Sequence, residues 1–166
     1  MTKQTTVRLP DDLAVEAMTA AMATPYDISS AAHLPKGSAA RLSDQRLAAL
    51  GTSLTLIRLE TFASFIAGRS GKLKEALKVY GGPLQLGAEQ SQSVWSDIRR
   101  LNVMPFSPDT SLWRISTTPT KAPEIVAAIS RFMTTHAVYD WSGGLIWLEV
   151  PAAADAGSAD VRRAVA

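Results

Sequence analysis

Strand-length segments that follow one another without a crossover helix constrain this chain more than any other feature. Residues 54–59, 112–117, 137–141 and 145–150 read as strands, and the last two flank Ser142-Gly143-Gly144, the mark of a hairpin. Parallel neighbours need a long crossover, usually a helix, and several strand pairs here have no room for one. The expected fold is therefore α+β: an antiparallel sheet covered by helices on one face, not a doubly wound parallel sheet. Strands at 5–9, 26–34 and 84–86 and helices at 10–22, 61–80, 88–101, 120–135 and 152–166 complete the order, with a polar, turn-rich stretch at 35–51. Asp11 and Asp12 sit where a helix dipole favours acid, Thr24-Pro25 and Gly81-Gly82-Pro83 stop helices, and Pro123 falls in a first turn, where proline is tolerated. The order strand–helix–strand–strand–helix–strand recurs approximately. One domain built as a ferredoxin-like tandem follows, with halves at about 1–87 and 88–166 and the second half incomplete.

Alternation along the strands assigns their faces. Ile57 and Leu59 oppose Leu56 and Arg58; Trp113 and Ile115 oppose Leu112, Arg114 and Ser116; Ile146 and Leu148 oppose Leu145, Trp147 and Glu149. Each strand has one apolar side, suited to helices, and one mixed side carrying Arg, Trp or Glu. The mixed side reads either as a surface that meets a ligand or partner, or as a solvated face.

Composition excludes several classes. The 166 residues are 46% hydrophobic and 19% charged, a globular balance. There is no cysteine, hence no disulfide, thiolate metal site, thiol catalysis or cysteine-ligated cluster. Seventeen basic and 15 acidic residues leave a formal charge of +2, and the short basic clusters, such as Lys72, Lys74 and Lys78, read as solvated helix faces. No apolar run approaches the roughly 20 residues of a membrane span, and the N-terminus has no signal-peptide core. A cytoplasmic protein without nucleic-acid partners or a membrane span is the expectation. His33 and His136 lack clustered carboxylates, so no metal site is expected; Gly81-Gly82 and Gly143-Gly144 lack a dinucleotide fingerprint and read as a helix stop and a hairpin turn. The opening Thr6-Val7-Arg8-Leu9-Pro10-Asp11-Asp12-Leu13 resembles the start of a ribbon-helix-helix DNA-binding protein, but nothing downstream continues it.

Three stretches carry a second resemblance, in order along the chain: Asp27-Ile28-Ser29-Ser30-Ala31-Ala32-His33-Leu34-Pro35; Leu56-Ile57-Arg58-Leu59-Glu60-Thr61-Phe62-Ala63; and Leu112-Trp113-Arg114-Ile115-Ser116 followed by Tyr139-Asp140-Trp141-Ser142-Gly143-Gly144-Leu145-Ile146-Trp147-Leu148. Over about residues 10–166 they resemble the cap region of the FAD-binding subunit of bacterial glycolate oxidase, in the FAD-linked oxidase family. Thr61 stands where that family usually has glycine. The resemblance implies the substrate-side domain of a flavin-dependent 2-hydroxy acid oxidoreductase, truncated or excised from its flavin domain and inactive alone. FAD would belong to the full-length protein, with none bound to this chain. Its partners would be the flavin domain of the same subunit, other glycolate oxidase subunits and a small 2-hydroxy acid.

Such an oxidation needs a group for the substrate carboxylate, for which arginine's planar fork is suited, and a base for the hydroxyl proton, commonly histidine. Arg58 and Arg114 on the mixed face, with His33, Tyr139 and Trp147 on possible neighbouring strands, are the candidate substrate-binding residues; no catalytic or cofactor-binding residue is assigned. If the strands of Arg58 and Arg114 are adjacent, two guanidinium groups lie close together and call for an anion or an acid such as Glu60 or Glu149. The alternative is a noncatalytic subunit-interaction domain, which a continuous apolar patch around Leu56, Leu112, Leu145 and Trp147 would favour.

Overall fold

A computed structural model describes residues 2–165. Seven strands, β1 (Thr2–Val7), β2 (Ile28–Leu34), β3 (Leu54–Glu60), β4 (Leu84–Leu86), β5 (Thr110–Ser116), β6 (His136–Asp140) and β7 (Leu145–Pro151), form one sheet in the order β4-β1-β3-β2-β6-β7-β5. Every neighbouring pair is antiparallel. The order β4-β1-β3-β2 is that of a ferredoxin-like unit. The order β6-β7-β5 repeats three of its strands and lacks the fourth, so the α+β tandem holds, with an incomplete second half.

Helices α1 (Asp11–Met22), α4 (Ala63–Ala76), α6 (Ala122–Ser130) and α7 (Ser158–Val165) cover one face. They pack on the apolar sides that alternation picks out: Ile57 and Leu59, Ile115, and Ile146 and Leu148 share a core with Met18, Ile66, Leu73, Ile125, Ile129 and Val161. Burial of such side chains contributes roughly 1.5–3 kcal/mol each before the entropy of ordering is counted.

A second layer lies on the other face. β4 and β5 occupy opposite edges of the sheet, and the chain linking them crosses behind it as α5 (Ala88–Arg99). Val94, Trp95 and Ile98 of α5 pack with Ala32, Leu34, Leu54, Leu56, Leu86 and Val138. The turn-rich 35–51 stretch joins this layer through two short helices, α2 (Lys36–Ala39) and α3 (Gln45–Ala48), whose Leu47 is buried there. Asp44 caps α3 by accepting from the Arg46 and Leu47 amides at 2.9 and 3.3 Å. The mixed face is thus partly roofed, and Leu56 and Leu145 are buried, so no continuous apolar patch runs from Leu56 to Leu112.

Other boundaries move for local reasons. The 61–80 helix ends at Ala76 and passes into a 3-10 turn, Lys78–Tyr80, stopped by Gly81 at φ 121°. The last helix starts at Ser158 and not at 152, because the Asp155 carboxylate captures the Gly157 and Ala159 amides at 3.0 and 3.1 Å. β1 is paired on both edges, which leaves it no free edge for a DNA-binding ribbon and removes the ribbon-helix-helix reading. Among the described residues no helix is long and apolar enough to cross a membrane.

Candidate functional site

Between the two half-sheets the recorded pairing is a single residue pair, His33 with Tyr139. Beyond it the strands part, and β2 carries a bulge between Ile28 and Ser30. On the mixed face at this parting lies a cleft of about 780 Å³, walled by both half-sheets and by α5. Arg58, Arg114 and Trp147 all line it, together with Trp95, Arg99, Asp140 and Trp141.

The two arginines are not on neighbouring strands. β3 and β5 are four strand spacings apart, roughly 19 Å at about 4.8 Å per strand. The expected clash of adjacent guanidinium groups does not arise, and each arginine has its own surroundings. Arg58 pairs with Glu60, Nη2 to Oε1 at 2.6 Å, while its buried Nε has no hydrogen-bond partner. Arg114 has no carboxylate partner among the described residues. Its guanidinium lies 5.7 Å from the Trp141 ring and 5.8 Å from the Trp147 ring, its cross-strand neighbour. Glu149, the other acid considered for an arginine, is buried and engaged elsewhere: it accepts from the Phe106 and Ser107 amides and from the Thr110 hydroxyl.

Trp141 is placed by a strained turn. Trp141, Ser142 and Gly143 have φ of 49°, 60° and 95°, and the first two conformations are uncommon for residues with a Cβ. The Asp140 carboxylate accepts the Trp141 amide at 2.8 Å and the Gly144 amide donates to the Trp141 carbonyl at 3.0 Å, closing the turn. The indole is left 67% exposed over Arg114, where no core demands it. Burial pushes the Asp140 carboxyl up, and the hydrogen bond from the Trp141 amide only partly offsets this.

His33 and Tyr139 lie on adjacent strands but on the helix-covered face, away from the cleft. Both are fully buried. His33 Nε2 meets Asp11 Oδ1 at 3.1 Å, its Nδ1 meets the Thr55 hydroxyl at 2.9 Å, and the Tyr139 hydroxyl donates to Asp11 Oδ2 at 2.6 Å. Burial, the Asp11 charge and this hydrogen bond all push the Tyr139 phenol up. These groups clamp the first turn of α1 onto β2 and β6. Strand polarity gave no warning: 28–34 (ISSAAHL) and 136–140 (HAVYD) do not alternate cleanly.

Trp95, Arg99, Asp140 and Trp141 are cleft residues that the sequence reading did not pick out. The available signal was Trp141 beside Ser-Gly-Gly, a large aromatic in a turn. Trp95 brings a buried indole Nε1–H with no acceptor. Among the described residues no three His, Cys, Asp or Glu side chains gather as a metal site.

Neither glycine pair forms a phosphate cradle at this cleft. A dinucleotide needs backbone amides open to its phosphates, but a Cβ on Gly143 would meet the Val15 side chain at 3.1 and 3.2 Å. That glycine admits α1, not a phosphate. Gly81 and Gly82 follow the 3-10 turn after α4 and do not line the cleft.

No protein-family model and no curated protein matches the sequence. Solved structures do match the fold. The chain is similar to the 4-ethylphenol oxidase from Gulosibacter chungangensis, seen with isoeugenol, with TM-score 0.53, 11% identity, and coverage of 99% of this chain and 41% of that one. It is also similar to p-cresol methylhydroxylase with substrate bound, with TM-score 0.58, 10% identity, and again 99% and 41% coverage. The chain therefore spans about two fifths of these structures and shares the fold of that part of them.

Proposed function

We propose that residues 1–166 form the cap, or substrate-side, domain of a flavin-dependent 2-hydroxy acid oxidoreductase of the glycolate oxidase type, acting in the cytoplasm. The observation that carries this reading is the cationic, indole-walled cleft that Arg58, Arg114 and Trp147 all line. It is supported by the likeness to part of a 4-ethylphenol oxidase and of p-cresol methylhydroxylase, each more than twice this chain's length. FAD, which would supply the redox chemistry, is held by a flavin domain outside this chain. The cap binds and orients. Arg114 receives the substrate carboxylate through charge-assisted hydrogen bonds, and Trp141 and Trp147 keep water from that ion pair. Neither histidine lines the cleft, so the base is Asp140 or a group of the flavin domain. Alone, the chain turns nothing over.

The test is to recover the tagged chain from its own cells and assay the purified complex for flavin absorbance and glycolate-dependent dye reduction. The expected result is a flavin-bearing complex in which Arg114→Ala cuts turnover at least tenfold while the complex stays assembled. A complex without flavin, or turnover indifferent to Arg114→Ala, refutes the reading.

A noncatalytic subunit-interaction domain remains the second reading, favoured by Phe62 and Phe65, which stand 79% and 53% exposed at the start of α4. Loss of the complex on Phe62→Ser, with turnover untouched by Arg114→Ala, would decide for it.

A further inference from the structure

The cleft is larger than a two-carbon acid fills, and its walls are partly aromatic. At about 780 Å³ it lies in the range of sites that enclose drug-sized ligands, roughly 300–1,000 Å³. A glycolate ion on Arg114 would leave most of it to water and could not approach Arg58, some four strands away. Three indoles line it, and Trp141 is held out from the core by two successive left-handed residues. Indoles beside a guanidinium with no carboxylate partner suit a flat, apolar group attached to an anion.

Polar groups inside the cleft narrow the class further. The lining charges are Arg58, Arg99 and Arg114 against Asp140, and the Arg58 charge is met by Glu60, so the positive charge lies with Arg99 and Arg114, of which Arg114 is the one set beside indoles.

From these observations we infer that the cleft binds an aromatic 2-hydroxy acid in preference to glycolate: the carboxylate on Arg114 and the ring among the indoles. Only the 2-hydroxy acid part of this assignment rests on the proposed function. The aromatic and anionic parts stand on the cleft itself.

Binding to the chain alone, without flavin, tests the inference separately from turnover. Intrinsic tryptophan fluorescence and calorimetry would be followed on titration with 3-phenyllactate, glycolate and p-cresol. Phenyllactate should bind saturably, at least tenfold more tightly than either glycolate or p-cresol. Arg114→Gln should weaken phenyllactate at least tenfold without changing p-cresol. Trp141→Ala, at an exposed position, should weaken phenyllactate and leave the thermal transition in place. The inference is overturned if phenyllactate does not saturate, if glycolate or p-cresol equals it, or if both variants bind it normally. A chain that binds phenyllactate but never joins an active flavoprotein keeps this inference and loses the proposed function; the opposite result does the reverse.

Discussion

Replacing Tyr139 by Phe removes one oxygen from the interior and tests whether the Asp11–His33–Tyr139 network holds the fold. The hydroxyl donates to Asp11 Oδ2 at 2.6 Å, a short bond to a carboxylate. Hydrogen bonds to charged groups contribute roughly 1.5–3 kcal/mol. The Asp11 side chain is 36% exposed, so water replaces part of the loss and the lower figure applies, about 1.5 kcal/mol. For a chain of this length that is a fall in Tm of roughly 3–6 °C, with an unchanged urea m-value. The pH dependence sharpens the test. Burial works to raise the Asp11 carboxyl, but the hydrogen bonds from His33 and Tyr139 and the His33 charge outweigh it, leaving it below its ordinary 3.8. A depressed carboxyl contributes stability that is fully present above 3.8 and is lost as pH falls through the folded value. The gap between wild type and Tyr139→Phe should therefore be widest near neutral pH and should narrow well below 3.8. Urea denaturation at the two pH values measures it. A Tm within one degree of wild type, or a gap equal at both pH values, refutes the reasoning.

The remaining predictions concern single contacts. Gly143→Ala forces a Cβ against Val15 at a φ of 95° and should cost more than about 1 kcal/mol in urea denaturation. Glu149→Ala strands the Phe106 and Ser107 amides and should cost about 3 kcal/mol, with faster hydrogen exchange at those two amides. Asp140→Asn keeps an acceptor for the Trp141 amide but removes the one acid among the described residues that line the cleft, so phenyllactate affinity, measured by calorimetry, should rise by about threefold, the scale of a partly screened charge pair.

Much of this could be read from residues alone, and the limits have physical causes. Where one side of a strand is wholly apolar, as with Ile57 and Leu59 or Ile146 and Leu148, side-chain period fixes the face, because a slip of one residue would expose the whole set. Helix starts and stops at Asp11, Thr24-Pro25 and Gly81 carry their own backbone chemistry. Pairing order does not. Nothing local says that β3 and β5 stand four places apart, since that depends on which edges β4 and β5 occupy. The position of α5 is hidden for the same reason: its apolar stripe of Val94, Trp95 and Ile98 requires a sheet face, and only the long-range connection decides which one. The cleft inherits both uncertainties. Arg58, Arg114 and Trp147 follow from alternation, whereas Trp95 and Arg99 reach the cleft only through the crossing of α5.

The two faces of the sheet are coupled at one point. The half-sheets are joined in the recorded pairing by His33 with Tyr139 alone, and those two side chains are the ones Asp11 holds from the opposite face. One carboxylate at the start of α1 therefore ties β2 to β6 where the ladder is thinnest. The walls of the cleft hang from either side of that tie: Arg58 on β3 beside β2, and Arg114, Trp141 and Trp147 on or next to β5, β6 and β7. The angle between the walls is then set by a network that never touches a ligand. His33 and Tyr139 act, on this view, as positioning residues. Loosening the clamp in Tyr139→Phe should weaken phenyllactate, whose ring must fit among indoles carried by α5, β7 and the turn after β6, more than an anion that needs Arg114 only. A general loss of stability at temperatures well below the transition would leave that ratio unchanged, so the ratio separates positioning from mere folding.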